Sequence, residues 1–141
     1  MGKRRNSFAI KVEVNDPQAG TFAFSEQKTM YGGKSIARDD PIFLFASENE
    51  GGSGLIASGI VSSAEAIPKK EDIIRQTPRV SITVVRRALT KRRLGRNELK
   101  VFSDWRDGRP ETELNFKLYR QATNKIVGIS DEAAAFLRGF F

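Results

Sequence analysis

The chain has 141 residues, enough for one domain built on one core, expected to span residues 1–141. It contains no cysteine and no histidine, which excludes disulfides, thiolate chemistry, Ser-His and Cys-His nucleophile pairs and nearly all zinc sites. Its 24 lysines and arginines against 17 aspartates and glutamates leave a formal net charge of +7, a field that attracts polyanions, nucleic acid first.

The first residues, Met-Gly-Lys-Arg-Arg-Asn-Ser, carry no apolar stretch behind their charges, so they do not read as a secretory signal. Asn6 stands where a myristoylation signal needs Ser or Thr. With no cysteine to form disulfides, a reducing, cytoplasmic compartment is expected. Residues 7–14 put Phe8, Ile10, Val12 and Val14 on one face at period two, a half-buried strand ended by Asn15, Asp16 and Pro17. Residues 22–24 form a further short strand, and residues 21–35 otherwise read as a polar loop.

That loop contains Gly32-Gly33-Lys34-Ser35, which suggests a phosphate-binding loop. A P-loop requires Gly five positions before its Gly-Lys-Ser, and position 28 is Lys. It also requires a helix to follow, and Pro41 with the apolar run after it forbids one. The two glycines instead predict a tight turn that brings backbone close to a neighbour.

Residues 42–47 and 55–61 are apolar runs joined by a Gly-rich segment, the pattern of a β-hairpin. The purely apolar stretch 42–46 is far short of the ~20 residues that a membrane-spanning helix needs. A short helix is predicted over 70–76, stopped before Pro78. Residues 80–85 are β-branched and predict a strand. Residues 86–93 fit helix and strand equally. Residues 99–102 and 114–119 are further strand candidates, separated by an Asp-Gly-Arg-Pro turn at 107–110, and 126–129 closes the sheet. A C-terminal helix follows, with Ser130 as N-cap, Asp131 and Glu132 in its first turn and three alanines behind them.

Residues 86–96 hold six basic residues in eleven and no acidic one. Like charges packed so densely repel each other unless an anion lies across them. Arg86, Arg87, Lys91, Arg92, Arg93 and Arg96 are therefore read as a patch that tracks a phosphate backbone, with Lys34 and Arg120 added to the phosphate-binding set. Trp105, the only tryptophan, lies in a polar setting beside a turn, and Tyr119 ends an apolar stretch; both are candidate stacking platforms for a base.

Residues 36–47, Ile-Ala-Arg-Asp-Asp-Pro-Ile-Phe-Leu-Phe-Ala-Ser, resemble the Gly-Asp-x-hydrophobic-Tyr-x-Ser segment of EVE and YTH domains. Residues 54–61 resemble their second barrel strand. Both belong to the PUA-like superfamily, to which the ASCH domain is related. The resemblance covers about residues 7–138. It implies an α+β, strand-dominated fold: a PUA-like, partly open β-barrel with short helices and a C-terminal helix. It also implies a pocket for a flipped, unpaired or modified base beside a basic cleft. Ser47 matches the family serine after the apolar strand, and residues 25–31 fall where family members line the pocket. Asp39 stands where the family has glycine, and one tryptophan replaces the YTH cage of several.

The expected function is a nucleic-acid-binding module that takes single-stranded or modified RNA or DNA and uses no cofactor or metal. Its base pocket would be drawn from Ser25, Lys28, Tyr31, Ser47, Trp105 and Tyr119. A second possibility, resembling ASCH-type amidohydrolases, is hydrolysis of an acylated nucleoside by Lys28 and Thr29 with Glu48 or Glu50. It requires Lys28 to be neutral and hence buried. A third is a protein-interaction module with an acidic partner.

Overall fold

Strands form where apolar residues alternate or run together, and in this chain some of them are buried on both faces. The computed structural model describes residues 6–48, 53–68, 76–121 and 125–141. β1 (Ser7–Val12) sends Phe8 and Ile10 into one core and Ala9 into another. β3 (Pro41–Ala46) divides in the same way, Ile42 and Leu44 to one side and Phe43 and Phe45 to the other. Double burial explains why its sequence is a continuous apolar run.

Six strands close into a barrel in the order β1-β3-β4-β5-β2-β6. The others are β2 (Thr21–Met30), β4 (Gly54–Ala66), β5 (Arg79–Leu89) and β6 (Lys125–Ile129). The predicted hairpin is present as the antiparallel β3–β4 pair. Two pairings are parallel, β1 with β3 and β2 with β6. The first core fills the barrel. The second lies between its outer wall and a layer of α1 (Arg96–Leu99), α2 (Pro110–Leu114) and α3 (Asp131–Arg138). Among the described residues no helix is long and apolar enough to cross a membrane.

Several elements differ from expectation. Residues 21–30 are one strand rather than a short strand and a polar loop. Their polarity marks a solvent-facing wall, with Ser25, Glu26 and Lys28 exposed while Phe22, Phe24 and Thr29 are buried. A register shift between Phe24 and Gln27 accommodates Glu26 at φ 49°. Because Lys28, Thr29 and Met30 pair with β6, the barrel closes completely instead of staying partly open.

Residues 99–102 form no strand; they end α1 and turn. Residues 114–119 are helical, since α2 runs on into a π-helical stretch, Asn115–Gln121. Pro110 opens this helix, Glu111 and Glu113 sit in its first turn, and Leu114 and Leu118, four apart, share its buried face. Arg86 and Arg87 belong to β5, which extends to Leu89. The helix expected over 70–76 lies, apart from Gln76, outside the described residues.

The glycine pair behaves as predicted. Gly32 turns the chain at φ 81°. A Cβ on Gly33 would lie 2.1 Å from the Ile126 carbonyl oxygen, so only glycine lets this turn pack on β6. Ser130 caps α3 by accepting from the Ala133 N–H at 3.1 Å, with Asp131 and Glu132 in the first turn.

Candidate nucleic-acid interface

A lysine on the outer wall of β1 lies at the centre of the site. Lys11 pairs in register with Phe45 and is 1% exposed, because the helical layer covers this face. Its ammonium sits 4.3 Å from the centroid of the Tyr119 ring, which the π-helical stretch brings over the wall. Among the described residues no hydrogen-bond acceptor reaches the Lys11 ammonium. Its pKa is lowered from 10.5 to about 8, by burial first and by the Arg96 charge second, with Glu48 opposing both.

Glu48 joins the elements. Its Oε1 accepts from the Tyr119 hydroxyl at 2.9 Å and from the Arg96 N–H at 2.8 Å. Its Oε2 lies 3.6 Å from Arg93 Nη2. Arg93 is shared with Glu98 at 3.5 Å, and Glu98 Oε1 also accepts from the Gly95 N–H at 2.7 Å. The segment carrying Arg93 and Arg96 is docked by the Leu55 N–H, which donates to the Leu94 carbonyl at 2.8 Å. Gly54, at φ 85°, allows that approach, since a Cβ there would meet Leu94 O at 2.4 Å. Burial, and then the Glu48 carboxylate, push the Tyr119 phenol far above its ordinary range, so it stays a hydrogen-bond donor. Ser47, buried beside Glu48, is held by its N–H donating to Val12 O at 2.9 Å. Arg93 thus bridges the two carboxylates, while the Arg96 backbone N–H holds Glu48 and the Lys11 ammonium lies over the Tyr119 ring.

Beside this cluster runs a cleft of about 370 Å³, lined by Leu55, Leu89, Thr90, Lys91, Arg92 and Arg93 among others. Arg93 belongs to both. Arg92 is fixed at the rim by donating to Gly139 O at 2.7 Å and by lying 4.4 Å from the Phe140 ring centroid.

Of the residues expected in a base pocket, Tyr119 joins this cluster through Glu48, itself from the catalytic alternative, and Ser47 is buried next to Glu48 in the chain. Ser25 and Lys28 lie on the exposed face of β2. Tyr31 lines a separate cleft near Lys117, whose ammonium is 4.9 Å from its ring centroid. Trp105 is 68% exposed between α1 and α2, beside Arg106 at 4.9 Å.

Of the expected phosphate contacts, Lys91, Arg92 and Arg93 line the cleft and Arg96 joins the cluster. Arg87 is exposed on β5. Arg86 instead clamps the β1–β2 connection, donating to Gln18 O at 2.6 Å. Lys34 sits on the turn after β2, and Arg120 stacks on Phe116 at 4.9 Å; neither lines the cleft. For the amidohydrolase possibility, Thr29 is buried and donates to Pro78 O at 2.8 Å, and Lys28 is exposed, so the burial that a neutral lysine needs is lacking. Among the described residues no hydrogen bond or ion pair joins either to Glu48. Glu50 lies outside the described residues.

Lys11 escaped the sequence analysis. Alternation along β1 assigns it to solvent, and only the helical layer turns that face into an interior.

The closed six-stranded barrel with its helical layer is a fold shared with several solved structures. Among solved structures it is similar to the human THYN1 protein in complex with 5-methylcytosine-containing DNA, at TM-score 0.64 and 15% identity over 95% of this chain and 96% of that one. It is similar also to a hypothetical protein from Leishmania major, at TM-score 0.61 and 15% identity over 96% and 94% of the two chains. A Pseudomonas syringae protein matches at TM-score 0.59 and 16% identity over 96% and 99%. No family model matches the sequence, and no curated protein is similar to it.

Proposed function

We propose that this chain is a nucleic-acid-binding module that seats one unpaired or modified base at Lys11, Ser47, Glu48 and Tyr119, with the adjoining phosphates along Lys91, Arg92 and Arg93. The observation that carries the proposal is Lys11, a lysine 1% exposed under the helical layer, whose ammonium meets the Tyr119 ring at 4.3 Å and feels the Glu48 charge. A lysine donor beside a glutamate acceptor matches the edge of a base that carries an exocyclic amine next to a ring nitrogen or carbonyl, as in cytosine and adenine. The likeness to a protein solved with 5-methylcytosine-containing DNA supports the same class of ligand. Removing a base from a duplex costs a few kcal/mol, so single strands and damaged or mismatched sites are preferred.

The test is fluorescence anisotropy with labelled single-stranded DNA and RNA hexamers at salt concentrations from about 50 to 200 mM. Log affinity should fall linearly with log salt, by about 0.7 for each phosphate neutralised. Lys91→Ala should flatten that slope, and cytosine or adenine hexamers should bind more tightly than uracil or thymine ones. Binding to an acidic protein but to no oligonucleotide would sink the proposal in favour of a protein-interaction module.

A further inference from the structure

The cleft contains a feature that a phosphate track does not need. Thr90 Oγ1 is buried and finds no hydrogen-bond partner among the described residues. Buried hydroxyls normally find one, because an unmade hydrogen bond costs stability. Thr90 is held in place by its N–H donating to Ile56 O at 2.9 Å, which prolongs the β4–β5 ladder into the cleft. Leu89, 39% exposed, and the nearly buried Leu55 and Ile56 supply an apolar floor around it. Both walls are braced: Arg86 holds the carbonyls of Gln18 and Ala19 at 2.6 and 3.3 Å, and Arg92 holds Gly139 O. The volume, about 370 Å³, lies within the range of small-ligand sites, about 300–1,000 Å³.

We infer that this cleft is a second nucleotide subsite. It takes the sugar and base of the nucleotide next to the seated base, the apolar part on Leu89 and a polar atom on Thr90 Oγ1, with Lys91 on the phosphate. Arg93, which lines the cleft and pairs with Glu48, sets the two subsites side by side. The inference rests on the nucleic-acid reading above and adds where the strand continues. It gives the basic stretch a second role, since Arg86 and Arg92 shape the cleft while Lys91 is exposed at its rim.

Thr90→Val keeps the side-chain shape and removes the hydroxyl. It should raise the melting temperature, because an orphan polar atom is gone, and weaken hexamer binding about five- to tenfold with an unchanged salt slope. Leu89→Ala should weaken binding as well. A purely structural Thr90 would give the higher melting temperature with affinity within twofold of wild type, and that result overturns the subsite. Absence of any oligonucleotide binding by the wild-type protein overturns both readings. Weakening by Thr90→Val with full affinity in Lys11→Met would place the only base in the cleft and overturn the two-subsite arrangement.

Discussion

The Tyr119 hydroxyl donates to Glu48 Oε1 at 2.9 Å, joining residues 71 positions apart in the chain. This bond ties the helical layer to the end of β3 and holds the carboxylate between Lys11, Arg93 and Arg96. Tyr119→Phe should cost about 1.5–3 kcal/mol, the scale of a hydrogen bond to a charged group. The Tyr119 pKa is raised in the fold, so its contribution is present below the unfolded value near 10 and is lost as pH rises above it. Urea midpoints of the wild type should therefore fall more steeply above pH 10 than those of Tyr119→Phe.

Lys11 has the opposite sign. Its pKa falls from 10.5 to about 8 in the fold, so at pH 7 the folded protein holds a charge that burial disfavours. Between about pH 8 and 10.5 the unfolded chain binds more protons than the folded one, and stability gains from this group as pH rises. Lys11→Met should be more stable than wild type at pH 7, with the gap narrowing toward pH 10, and should lose oligonucleotide binding. Urea titrations at several pH values, paired with anisotropy, check both halves.

Gly95 tests how tightly Glu48 is placed. A Cβ there would lie 2.8 Å from Glu48 Oε1, while the backbone is extended at φ −149° and accepts any residue. Gly95→Ala should displace the carboxylate from Tyr119 and Arg96 at a cost below about 1 kcal/mol in stability. Hexamer affinity should drop about tenfold if an anchored Glu48 reads the base edge, a difference of about 1.4 kcal/mol. Thermal melts and anisotropy separate the two effects.

Gly33→Ala examines barrel closure. Its Cβ would meet the Ile126 backbone, which cannot yield as a side chain can. A loss of about 2–3 kcal/mol is expected, read from the urea midpoint, because overpacking against backbone forces the turn off β6.

Period-two alternation along residues 8–12, the continuous apolar run at 42–46 and the Ser130 cap with its acidic first turn are local patterns, and each produced the expected element. Net charge and the dense basic segment likewise marked a polyanion partner as the first candidate. Residues 21–30 could not be read in this way, because a strand whose polar residues face solvent looks like a loop until β5 and β6 flank it. Residues 114–119 misled through an alternation that also fits Leu114 and Leu118 on one face of a helix, and Pro110 decided for the helix. The grouping of Lys11, Glu48 and Tyr119 required the barrel wall and the helical layer to meet. Local spacing determines which face of an element is apolar; which two faces are pressed together, and which charge is thereby removed from water, is settled only when the whole chain packs.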